Sequence, residues 1–228
     1  MVPMSTTERG PPDNAYVETV QVKIGPDPNA KFFTIHKGVL VFYSGYFESA
    51  LRHNSTFTEA RHGIFHLPEE EVGVGEIFMV FLYRGELRYP SVFFSALPTL
   101  VPLWVLADRR VVPLLMNKCI DAIKREVLQV WLSPYWLLPY VYANTAPNSA
   151  LRRFILLLSV RAGITAQASS CDTMLSRYYD EESTRDLCNL LWVMKGDRAW
   201  CQDDLRKLET CPDYHSHGPD EADKCREG

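Results

Sequence analysis

The chain has 228 residues, 46% of them hydrophobic and 23% charged, with a formal net charge of −4. That length buries one large core or two small ones without disulfide or metal staples, and that composition excludes a wholly disordered chain. A mildly acidic total excludes a broadly basic nucleic-acid binder and leaves only local patches to consider.

Residues 1–15 are polar, contain Pro11-Pro12 and show no periodicity, which predicts a loose tail. They hold no basic segment followed by an apolar run, so a secreted protein is not expected. Six cysteines over this length do not form a secreted disulfide framework, and the expected compartment is the cytoplasm or nucleus. From residue 18 the pattern changes. Val20, Val22 and Ile24 alternate with Thr19, Gln21 and Lys23, the period of a half-buried strand. Gly25-Pro26-Asp27-Pro28-Asn29 is a turn by composition, and residues 31–36 read as the returning strand with Phe33 and Ile35 on one face.

The period then becomes helical. Val39, Leu40, Tyr43, Tyr46, Phe47, Ala50 and Leu51 recur at steps of three and four, with Ser44-Gly45 predicted to divide the stripe into two helices. After a polar loop, residues 64–67 read as a short strand. The acidic run Glu69-Glu70-Glu71 precedes a helix with Ile77, Phe78, Phe81 and Leu82 on one side, where negative charge suits the helix start.

Everything further on is helical. Leu100, Leu103, Trp104 and Ala107 form one stripe, and Pro113 opens the next, which carries Met116, Cys119, Ile120, Ile123 and Val127. Residues 131–143 read as an aromatic helix interrupted by proline. Asn148-Ser149 caps a helix that Gly163 ends, and Ser183-x-x-Asp186 resembles a capping box. The stretches 89–107 and 127–151 carry no charge, but each holds three prolines and scattered polar residues, so they read as buried helices and connections rather than membrane spans. The class is α+β giving way to all-α.

The run Phe33-Thr34-Ile35-His36-Lys37-Gly38-Val39-Leu40, then Ser44-Gly45-Tyr46-Phe47, resembles the signature of BTB/POZ domains. Ile64-Phe65-His66-Leu67-Pro68 falls at that family's third strand. Leu82-Tyr83-Arg84-Gly85 resembles its "L-Y-T-G" helix end, and Leu103-Trp104-Val105-Leu106-Ala107-Asp108 with Val112-Pro113-Leu114-Leu115 resembles its "L-A-D…I-P-x-L" block. The resemblance covers residues 17–127. Residues 128–210 then read as a helical extension and 211–228 as a polar Cys/His tail. Val141-Tyr142-Ala143-Asn144-Thr145, Ser149-Ala150-Leu151-Arg152-Arg153 and Cys211-Pro212-Asp213-Tyr214-His215-Ser216-His217 resemble the extension of BTB proteins abundant in filamentous fungi. Glu18-Thr19 stands where many relatives have Asp, which puts that residue's contacts in question.

The resemblance implies binding rather than catalysis. BTB domains pair with themselves, here through segments around residues 16–22 and 39–46, so a homodimer is expected. Many recruit the cullin scaffold of a ubiquitin ligase, with a second region holding substrate. The alternative is a homotypic scaffold or transcription-associated regulator with no ligase role. Phe57-Thr58-Glu59 matches the hydrophobic-x-acid motif that cullin-binding members place before the third strand: an aromatic anchor beside a carboxylate that sets register. The alternative is a surface loop whose Phe folds back. Tyr46 and Phe47 belong to the same family surface, with at least one of them expected in the core.

Cys211, His215, His217 and Cys225 form C-x3-H-x-H-x7-C. Two thiolates and two imidazoles are a zinc set by type, in a segment with few apolar residues to order it otherwise. The two histidines both ligate only if the backbone between them is extended or turned. The competing reading is an unstructured tail. Cys119 and Cys188 fall among apolar residues and are expected in the core, with Cys171 and Cys201 exposed. No catalytic residue is expected: there is no G-x-S-x-G, H-E-x-x-H or P-loop, and Gly73-Val74-Gly75 is a lone G-x-G. Nucleic-acid binding would rest on Arg109-Arg110 and Arg152-Arg153 alone, which read as surface charge, so neither nucleic acid nor a membrane is an expected partner.

Overall fold

A computed structural model describes residues 10–52, 63–90, 95–162, 177–195, 200–211 and 213–217. They belong to two compact units. One draws on Met1–Pro90, Pro102–Cys119 and Ser216–Gly228, the other on Ser91–Val101 and Ile120–His215.

In the first unit the alternating segment forms β1, Thr19–Ile24, with Val20, Val22 and Ile24 inward and Thr19 and Gln21 outward. β2, Lys31–His36, returns antiparallel with Val22 opposite Phe33, and β3, Ile64–Leu67, lies parallel to β1 with Val22 opposite Phe65. The order β2-β1-β3 places β1 in the middle, where both edges are paired. Its inward residues are fully or nearly fully buried, which is what alternation with a single covered face requires. Gly25 turns the chain out of β1 at φ 95°, a conformation glycine adopts without a Cβ penalty.

Helices α1, Lys37–Tyr43, and α2, Gly45–Leu51, divide at Ser44. Ser44 has extended backbone, and its hydroxyl accepts from the Phe47 amide, so it ends one helix and caps the next. The same hydroxyl donates to the Arg110 carbonyl at 2.5 Å, and the Gly45 amide donates to the Val111 carbonyl at 3.0 Å. Helix α3, Val72–Arg84, starts behind Glu71 and stops at Gly85, whose φ is 65°. Val74 and Gly75 both lie inside α3. A Cβ on Gly75 would come within 2.6 Å of the Ile24 side chain, so this glycine of the lone G-x-G lets helix and sheet approach, whereas Gly73 faces open space. Where the sequence predicts a loose tail, Asp13–Tyr16 form a 3-10 turn with Ala15 buried, seated so closely on Gly38 that a Cβ there would lie 2.4 Å from the Ala15 backbone.

Helices α4, Leu97–Arg109, and α5, Pro113–Val130, contribute to both units. Pro113 opens α5 as expected, and Pro102 sits inside α4. In the second unit the aromatic stretch is a 3-10 turn, Tyr135–Leu137, leading into α6, Leu138–Asn144. Helix α7, Ala150–Arg161, is capped by Ser149 and holds Leu151, Phe154, Ile155 and Leu158 in the core. Helix α8 is Glu181–Val193 and α9 is Gln202–Lys207. The cap of α8 is Asp180, with Ser183 at its third position, so the box lies one turn before the predicted Ser183-x-x-Asp186. Cys119 is buried, and burial pushes its thiol far up, keeping it neutral. Cys188 is exposed, contrary to its expected place in the core, because α8 buries only Ser183 and leaves Trp192 and Val193 open. Cys201 is exposed as expected, and Cys171 lies outside the described residues. Among the described residues no helix is long and apolar enough to cross a membrane.

Candidate functional site

The first unit presents a groove of about 450 Å³ where the 13–16 turn meets α1 and α2. Ala15, Val17, Val41 and Leu51 supply its apolar lining, and Glu18, Lys37, Glu48 and Arg52 its rim. Val17 is 78% exposed and Tyr16 43%. The rim charges pair locally, Lys37 with Glu18 at 3.3 Å and Arg52 with Glu48 at 2.8 Å. Such a face carries both signs around an apolar centre, the composition a two-fold contact between identical surfaces needs.

Sequence and structure differ on which residues this face contains. The expected contact segment 16–22 contributes only its start. From residue 19 the chain is the central strand, hydrogen-bonded on both sides, with Val20 and Val22 in the core. Val39 and Leu40 are likewise fully buried. Of the pair Tyr46 and Phe47, Phe47 is the expected core member rather than a partner-binding residue: it is fully buried, its ring edge-on to Phe65 at 5.2 Å and to Tyr46 at 5.0 Å, so it holds α2 to the sheet. Tyr46 is half-buried beneath the Arg110 guanidinium, 5.0 Å from its ring centroid. Phe57, Thr58 and Glu59 lie outside the described residues, between the end of α2 and β3.

His36 sits at the corner between β2 and α1. The Tyr83 hydroxyl accepts from its backbone amide at 3.2 Å and lies 2.8 Å from its Nδ1, so this histidine fixes a turn of the chain. The two arginine pairs read as surface charge divide in two. Arg110 is buried and paired with Glu69 and Glu70, while Arg109 reaches Glu70 at 3.3 Å. Burial pushes the Glu70 carboxyl above its ordinary range against the pull of both arginines. Arg152 is buried too, and only Arg153 of its pair is exposed.

In the second unit, the stretch after α9 is seated on α5. The Lys124 ammonium donates to the Leu208 carbonyl at 2.5 Å and to the Arg206 carbonyl at 3.1 Å. Tyr214 stacks at a tilt on Phe154, with centroids 4.9 Å apart. Thr210 Oγ1 donates to Asp121 Oδ1 at 2.7 Å, and His215 Nε2 lies 3.0 Å from the same oxygen. Burial alone would raise the Asp121 carboxyl. The hydrogen bonds from His215 and Thr210 outweigh it and hold the group below its ordinary range. The ligand atoms of Cys211, His215 and His217 lie within 4.8 Å of one another, and the backbone from His215 to His217 is not helical, the condition under which two histidines two apart converge. Cys225 lies outside the described residues. Asp121 carries no motif of its own. Its one sequence signal is a polar position one turn from Asn117 on an amphipathic helix.

No curated protein matches the chain. The family model of the BTB/POZ domain matches residues 18–126, taking in the sheet, α1 to α4 and most of α5. Domains of this family are protein–protein interaction modules. Residues 18–126 of the chain are thus a BTB/POZ domain.

Proposed function

We propose that this chain is a dimerising interaction protein that serves as substrate adaptor of a cullin-based ubiquitin ligase. The observation that carries the pairing is the exposed Tyr16-Val17 step at a groove with an apolar lining and a rim of both charges. An exposed valine at the mouth of an apolar groove costs hydration free energy unless a partner covers it, and a rim of mixed sign suits a second copy of the same face. The scaffold contact rests on Phe57-Thr58-Glu59 in the connection between α2 and β3. The helices after residue 126 are the substrate-holding region in this reading.

Calorimetric titration with the N-terminal region of the BTB-binding cullin from the same organism tests it. Submicromolar binding, abolished when Phe57→Ala and Glu59→Ala are combined, is the expected result. A folded, dimeric wild type that binds no cullin would refute the adaptor role and leave a homotypic scaffold.

A further inference from the structure

We infer that Cys211, His215 and His217 bind a zinc ion through the Cys211 thiolate and the two imidazoles. All three lie within seven residues along the chain, so their approach is a local property of this stretch. A tetrahedral zinc places sulfur at about 2.3 Å and nitrogen at about 2.0 Å, so one sulfur and two nitrogens around it stand roughly 3.3–3.5 Å apart. The three atoms here already lie within 4.8 Å of one another, and side-chain adjustments of about an ångström close the set.

The surroundings hold the stretch in place. The Asn117 side chain clamps the backbone between the two histidines, its Nδ2 donating to the Ser216 carbonyl at 3.1 Å and its Oδ1 accepting from the Ser216 amide at 2.7 Å. The Asp121 carboxylate faces His215 Nε2. In a neutral imidazole that donates from Nε2, the ligating lone pair is on Nδ1. A carboxylate behind a ligating histidine fixes that tautomer and raises the basicity of the ring. Cys211 is buried, which keeps bulk water from competing for the metal. Thiolate and imidazole together favour zinc over the hard cations magnesium and calcium. Binding replaces the S–H bond of Cys211 with a Zn–S bond, and the proton leaves to solvent. Asp121 is a positioning residue here and does not touch the metal.

The test uses the full chain, purified without chelator and measured for metal by emission spectroscopy. The expected content is about one zinc per chain. Cobalt(II) replacing it should give a thiolate-to-metal charge-transfer band that disappears in Cys211→Ser. Because Cys211 is buried, its variant can lose metal by misfolding. His217→Ala, half-buried in the same stretch, is therefore run beside it with circular dichroism as a check on folding. A folded His217→Ala chain without zinc supports the site, as does an Asp121→Ala chain with affinity weakened by about 10–100-fold. A wild-type chain that carries no zinc and gives no cobalt band overturns it, and so does zinc retained at full content in both ligand variants.

Discussion

Replacing Arg152 by alanine removes one guanidinium that ties together three helices of the second unit. Its Nε donates to Thr145 Oγ1 at 2.9 Å, one terminal nitrogen donates to Glu182 at 2.5 Å, and the other donates to the carbonyls of Tyr142 and Thr145. The guanidinium also lies 4.5 Å from the centroid of the Tyr142 ring. The guanidinium caps the end of α6 through these two carbonyls, where no further helical turn follows to satisfy them. Leaving buried carbonyls without a donor costs about 1–3 kcal/mol each, and removing one member of a buried ion pair costs about 3–5 kcal/mol. These effects overlap, and Glu182 is half-exposed and regains water, so Arg152→Ala should cost about 3–5 kcal/mol in all. Arg152→Lys keeps the charge near Glu182 but cannot reach both carbonyls and Thr145 at once, and should cost about 2 kcal/mol. The neighbouring Arg153 is exposed and donates to the Asp213 carbonyl at the surface, so Arg153→Ala should cost less than about 1 kcal/mol. Urea unfolding followed by far-ultraviolet circular dichroism measures all three. An Arg152→Ala chain no less stable than Arg153→Ala would show that Arg152 does not hold these helices together.

Asp180→Ala should destabilise by about 1 kcal/mol through loss of the α8 cap, and Asp180→Asn by much less, in the same unfolding assay. The backbone and hydroxyl hydrogen bonds from Ser183 hold the Asp180 carboxyl below its ordinary range. Its contribution is therefore present above the unfolded-state value and is lost as the pH falls through the lower folded value, so unfolding curves below about pH 4 should lose this dependence in Asp180→Asn. Gly38→Ala should push the 13–16 turn from its seat at a cost of about 1–3 kcal/mol. Hydrogen exchange should rise at residues 13–17 while β1 stays protected, and unchanged exchange there would count against the seating.

What the sequence disclosed follows from how local each signal is. The alternation at Val20, Val22 and Ile24, the break at Ser44-Gly45 and the start at Pro113 are properties of a few consecutive residues, and the structure places elements there. Arg110 and Arg152 read as surface charge because their partners stand far away in sequence, at Glu69 and Glu70 in one case and at Glu182 in the other. The α8 cap is predicted one turn late because Ser183-x-x-Asp186 fits a box by residue type, and only backbone geometry places the cap at Asp180. The 13–16 turn was illegible because its seat is the absence of a side chain on Gly38, a property of the partner element. The Cys/His set was legible by residue type, whereas Asn117 and Asp121, which seat it, stand 99 and 94 residues before the groups they hold.

The proposed self-association through the face at Tyr16 and Val17 is read from mass in solution. Light scattering at micromolar concentration should give twice the chain mass of 26.1 kDa. Val17→Glu, which sets a charge at a 78% exposed position, should give a folded monomer. A wild-type chain that stays monomeric across that range, or a Val17→Glu chain that still pairs as wild type does, would contradict it.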